Sequence, residues 1–145
     1  MPSLVQNALL LESLGNILGG LSFLLTPRLT LSLLVRDPSA LNPLSLTLWQ
    51  MLGGITLALT VPLLAAYSDT PTGEAQRRSA YVTLGMGEGV IVPLLLAGWV
   101  KGSSPFGEGM VFGGSAVLAG AAAWRVWCLV VRPEVMAVDG GRKGQ

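Results

Sequence analysis

The chain has 145 residues, of which 51 % are hydrophobic and 12 % charged, with a formal net charge of +1 and a mean hydropathy of +0.62. Soluble domains carry roughly 25 % charged residues, so this composition belongs to a membrane protein, and a near-neutral chain without a basic block excludes nucleic acid as a partner. One cysteine, Cys128, and no histidine exclude an intrachain disulfide framework, a multi-cysteine metal site and His-dependent di-iron, haem or zinc chemistry; neither metal nor cofactor is expected.

Four apolar segments follow in order. The first, about 4–25, is long enough to cross the hydrocarbon core, which needs about 20 helical residues. It has no basic n-region and no small-residue cleavage site, so a cleaved signal peptide is not expected. Thr26-Pro27-Arg28 ends it. The seven apolar and hydroxyl residues fenced by Arg28 and Arg36 are too few to cross, and a short interfacial helix is expected at about 28–36. A turn-rich connection through Asp37-Pro38 and Asn42-Pro43 leads to the second span, about 44–67, with Trp49 towards one end, Tyr67 at the other and Pro62 inside. The stretch 68–79 is the one plainly hydrophilic loop. The third span, about 80–100, is opened by Tyr81 and closed by Trp99, and a Gly- and Ser-rich turn from Lys101 to Gly109 leads to the fourth, about 110–131. Residues 132–145 form a polar tail, expected to be disordered and cytoplasmic.

Four spans with short connections imply one all-α domain over 1–131, an antiparallel four-helix transmembrane bundle. An even number of spans puts both termini and the 68–79 loop on one side. That side holds Arg77, Arg78, Arg132, Arg142 and Lys143, against Arg28, Arg36 and Lys101 on the other. The excess predicts cytoplasmic termini. Gly15/Gly19, Gly85/Gly89 and Ala116/Gly120 have small-xxx-small spacing, which suits helix packing within the bundle or docking of a second copy or another membrane subunit.

Polar residues inside the spans are the candidate site. A charge at mid-bilayer costs roughly 2.5–3.5 kcal/mol, so each needs a partner, a proton or a function. At 1.5 Å of rise per residue, Glu12 lies about 12 Å below the start of the first span and Glu88 about 12 Å below that of the third. By the same measure Arg125 lies about 9 Å and Thr60 about 10 Å from the ends of theirs. All four fall at a similar depth in the half nearest the termini. Asn16 and Gly19 follow Glu12 by four and seven positions and Ala8 precedes it by four, so one face of the first helix is polar and small. Glu12 and Glu88 are the candidate acid/base carboxyls, and Asn16, Thr60 and Arg125 the candidate substrate contacts. The same residues can instead form an internal salt bridge, or Arg125 can snorkel to the headgroups between Trp124 and Trp127.

Leu10-Leu11-Glu12-Ser13-Leu14-Gly15 is similar to the Leu-Ala-Glu-x-x-Gly stretch in helix one of the small multidrug resistance transporters, and Ala80-Tyr81 with Gly85 and Gly87-Glu88-Gly89 loosely resembles their third helix. The resemblance implies a four-span proton-coupled exporter with Glu12 as the shared carboxylate. This chain is longer, joins its second and third helices by a longer loop, and adds Glu88 and Arg125, so it is not assigned to that family. Three roles stay open: a non-enzymatic accessory or scaffold bundle, a proton-coupled transporter using Glu12, and a membrane-embedded isomerase or cyclase using Glu12 or Glu88 on a lipophilic metabolite.

Overall fold

A computed structural model of the chain describes residues 3–137. The described residues form an all-α bundle. Its helices are α1 (Leu4–Leu25), the short α2 (Pro27–Ser32), α3 (Pro43–Ala66), α4 (Pro71–Val100) and α5 (Gly109–Val131). Four of them, all but α2, are long and apolar enough to cross a membrane. Their outward faces carry Leu11 and Val117, each 73 % exposed, a pattern that hydrocarbon tolerates and water does not.

Local chemistry sets the ends. Ser3 and Gln6 make a reciprocal capping box, Ser3 Oγ accepting from Gln6 N (3.2 Å) and Gln6 Oε1 from Ser3 N (2.7 Å). Asn42 and Ser45 do the same at the start of α3 (3.0 and 3.1 Å). Pro27, Pro43 and Pro71 each occupy the first helical turn, where the missing N–H goes unneeded. The interfacial piece expected at 28–36 is helical only through Ser32. At Val35 the chain forms an antiparallel bridge with Phe106, closed by Arg36 N donating to Pro105 O (2.9 Å) and Gly107 N to Leu34 O (2.8 Å).

Two boundaries differ from the sequence reading. The hydrophilic stretch 68–79 is helical from Pro71, so α4 has 30 residues, about 45 Å at 1.5 Å per residue. Its first turns therefore project beyond a hydrocarbon core of about 30 Å. Polarity concealed the helix, which Thr70 starts by accepting from Gly73 N (3.0 Å). Gly73 is required there, because a Cβ would stand 2.0 Å from the Ser68 carbonyl oxygen. The tail, expected to be free from 132, is docked in its described part: Pro133–Met136 is a 3-10 turn and Met136 is fully buried. An apolar side chain with room in the core holds it there. The expected disorder of 140–144 lies outside the described residues, as do Arg142 and Lys143.

The helices pack as two antiparallel hairpins, α1 on α3 and α4 on α5, joined along α3 and α4. Gln6 Nε2 donates to the Tyr67 carbonyl (3.0 Å) at one end of α1/α3, and Gln50 Nε2 to Leu24 O (3.1 Å) near the other. The largest buried apolar cluster gathers Val5, Leu9, Leu63, Ala66, Tyr81 and Cys128 at the end that holds the termini.

The close helix crossing falls on glycines that the spacing argument did not select. A Cβ at Gly53 would lie 2.8 Å from Gly20 O, and one at Gly20 would lie 2.8 Å from Leu57 Cγ. Gly15, Gly19, Gly89 and Gly120 have no atom within 4 Å of such a Cβ, and Gly85 faces the stem of Arg125. Packing inside the bundle therefore does not use the Gly15/Gly19 face. Gly53→Ala is expected to lower stability by about 1–3 kcal/mol through overpacking. Gly15→Ala should stay within about 0.5 kcal/mol of the parent. Thermal unfolding in detergent micelles measures both, and equal effects would rule out Gly20/Gly53 as the crossing point.

Candidate functional site

Glu12 of α1, Glu88 of α4 and Arg125 of α5 meet. The Arg125 guanidinium donates from Nη2 to Glu12 Oε1 and from Nη1 to Glu88 Oε1. Arg125 is 3 % exposed and so does not snorkel to the headgroups; the Glu88 side chain is 10 % exposed and that of Glu12 27 %. Gly85, one turn before Glu88, leaves space for the arginine stem, whose Cδ lies 3.6 Å from where a Cβ would stand. Charge-assisted bonds from both ends of one planar fork fix its orientation as well as its position.

Aromatic groups complete the surroundings. The Arg125 guanidinium carbon lies 5.6 Å from the centroid of the Tyr81 ring, within cation–π range. Tyr81 Oη in turn accepts from Trp124 Nε1 (3.2 Å), and Trp124 stacks on Trp127 at 5.2 Å. Sequence reasoning placed Tyr81 at the membrane interface and missed this role. Its position two helical turns before Glu88, on the same face, was the available signal.

The other candidates stand apart. Thr60 is buried, but its hydroxyl donates to Thr56 O (3.0 Å) within its own helix. Asn16 is half-buried, and no hydrogen bond joins it to the three charged residues. Glu88 Oε2, Arg125 Nε, Ser13 Oγ and Ser115 Oγ are buried without a hydrogen-bond partner among the described residues. Ser13 adjoins Glu12, whereas Ser115 lies ten residues from Arg125 along α5. Four cavities of about 50 to 320 Å³ among the described residues are lined by side chains other than Glu12, Asn16, Glu88 and Arg125.

The electrostatics reduce to counting. Two carboxylates around one guanidinium carry one negative charge in excess, and a single proton makes the set neutral. The three charges join α1, α4 and α5, and protonation of one carboxylate changes the net charge of the set by one. Among the described residues no group of three or more His, Cys, Asp or Glu is placed to hold a metal ion.

A second arginine was read from sequence only as a loop charge. Arg77 is fully buried beneath the core cluster. Its Nε donates to Ala66 O (2.9 Å), Nη2 to Ser68 O (2.9 Å) and Nη1 to Met136 O (3.1 Å), and Asp69 lies 3.5 Å from Nη2. It closes the C-terminal end of α3, where helical carbonyls lack partners, and ties the 133–136 turn to the bundle.

No family model, no curated protein and no solved structure matches this chain.

Proposed function

We propose that the chain is a non-enzymatic accessory bundle of a membrane, in which the Glu12–Arg125–Glu88 cluster fixes how the two hairpins pack. One observation carries this reading: both terminal nitrogens of Arg125 are engaged by carboxylates from two other helices. A guanidinium held in this way has little capacity left for an anionic substrate. The membrane location rests on the four apolar helices. Cytoplasmic termini remain our reading of the charge distribution, in which Arg142 and Lys143 supply the excess. An accessory bundle meets its neighbour through lipid-facing surfaces, and the open Gly15/Gly19 and Ala116/Gly120 faces are where a second membrane helix could approach closely.

A second reading, proton-coupled transport, is favoured by one feature. Glu12 is partly accessible while Glu88 Oε2 has no partner, so a proton can be exchanged without breaking either arginine bond. The two readings separate in proteoliposomes that carry a pH dye in the lumen and are challenged with the lipophilic cation tetraphenylphosphonium. The accessory reading expects the same signal from the parent protein, Glu12→Gln and empty vesicles. Cation-driven proton movement in the parent that disappears in Glu12→Gln would overturn it and make Glu12 the exchanging carboxyl.

A further inference from the structure

The end of the bundle opposite the termini has a feature that the charge cluster does not involve. The segment Ser104–Phe106, pinned to Val35 and Arg36 by the antiparallel bridge, separates two apolar clefts. One, of about 320 Å³, lies against Leu31, Val35, Leu48, Trp49 and Leu52. The other, of about 250 Å³, lies against Ile91, Leu94, Leu95 and Gly98. Pro105 and Phe106 line both. Beside the same segment is a small polar hollow of about 50 Å³, lined by Arg36, Trp99, Gly102 and Ser104.

We propose that this end holds one anionic phospholipid, its two acyl chains lying on either side of Phe106 and its phosphate at Arg36. An apolar cleft on a membrane-spanning protein does not hold water, which needs two to four polar partners; acyl chain is the solvent available there. The two clefts share one wall, which suits a two-tailed molecule. Arg36 supplies the charge complement. Its guanidinium lies over the Trp99 ring, 4.7 Å from the centroid, so one face is covered by the indole while the N–H edges remain free. Those edges make no ion pair among the described residues, and a planar fork is well matched to phosphate oxygens.

Neighbouring charges leave that complement intact. Lys101, two residues after Trp99, is exposed and adds to the positive field. Asp37 keeps its negative charge but is turned to the backbone, where it accepts from Ser39 N (2.8 Å) and makes no ion pair with Arg36. Glu108 is exposed at the start of α5 and lines none of the three hollows. Trp99 also places Arg36 at headgroup level, where tryptophans concentrate.

The test uses the full chain in nanodiscs of mixed dioleoyl lipids, followed by native mass spectrometry of the lipid that remains bound. Dioleoyl phosphatidylglycerol should be retained over dioleoyl phosphatidylcholine by about fivefold, the worth of one basic residue near a membrane surface. Arg36→Gln should bring that ratio close to one, whereas Arg28→Gln should leave it unchanged. Leu48→Trp, which fills the larger cleft, should reduce retention of both lipids. Melting curves confirm that each variant is folded, and Arg36→Lys, which keeps the charge, should retain part of the preference if Arg36→Gln proves unstable. Equal retention of the two lipids by the parent, or a preference that survives Arg36→Gln, overturns the proposal. So does full displacement of the lipid by millimolar inorganic phosphate, since the clefts would then contribute nothing.

Discussion

Arg125→Met is expected to destabilise the bundle by about 3–5 kcal/mol, the range for breaking a buried ion pair by removing one partner. The magnitude follows from burial. An exposed salt bridge is worth about 0.2–1 kcal/mol, but Arg125 is 3 % exposed and serves carboxylates on two other helices. Its removal leaves Glu12 and Glu88 facing each other with no counter-charge, in a setting where one uncompensated charge already costs roughly 2.5–3.5 kcal/mol. Methionine conserves most of the stem volume, so the loss reports the charge and not a cavity.

The triple variant Glu12→Gln/Glu88→Gln/Arg125→Met separates compensation from attraction. Replacing a whole buried ionic cluster by uncharged groups is often neutral, or stabilising by 1–4 kcal/mol. The triple variant should therefore melt close to the parent and well above Arg125→Met. Thermal unfolding in one detergent, with all variants at equal concentration, measures both. If the triple variant is as unstable as the single one, hydrogen-bond geometry holds the hairpins and charge neutralisation does not. If Arg125→Met melts like the parent, the cluster is not a clasp.

The existence of this cluster was legible in the sequence because depth is a one-dimensional quantity. Counting residues from the span ends placed Glu12, Glu88 and Arg125 at similar levels, and three helices in one bundle have few ways to avoid each other there. Rotation about each helix axis is not a function of depth, which is why Thr60 shared the level and still bonds within its own helix. The spans were legible for the same reason: apolar length is read directly from the chain. The crossing glycines were not. Spacing singles out Gly15 and Gly19 and passes over Gly20, and only the α1–α3 contact, with Leu57 and Gly53 opposite, marks Gly20 as the crossing point. Hydropathy also concealed the first turns of α4, since it separates apolar from polar and does not separate helix from loop. The two clefts beside Phe106 depend on the meeting of segments some 70 residues apart, Val35 with Phe106, and no local pattern announces such a pairing.

Arg77 carries the second large expectation, and it is the residue for which sequence and structure differ most. In the chain, Arg77 and Arg78 are adjacent and equivalent. In the fold, Arg77 is fully buried and donates to three main-chain carbonyls, whereas Arg78 lies at the surface, 3.3 Å from Glu74 one turn away. Arg78→Ala should therefore cost no more than about 0.5 kcal/mol, the worth of an exposed pair at that spacing. Arg77→Ala strands the buried carbonyls of Ala66 and Met136 and the partly buried one of Ser68. Each buried acceptor left without its donor costs about 1–3 kcal/mol, so a loss on the order of 4 kcal/mol is expected. Arg77→Lys keeps the charge but replaces a rigid fork with a single ammonium, which cannot reach three carbonyls in the same directions, so it should recover only part of the loss. The location of the effect is as informative as its size. Because Nη1 holds Met136 O, amide exchange at residues 135–137 should accelerate in Arg77→Ala, and the 133–136 turn should become open to protease before the helices do. A variant that loses global stability with no faster exchange at 135–137 would show that Arg77 caps α3 without anchoring the turn, and one that melts like Arg78→Ala would remove both roles.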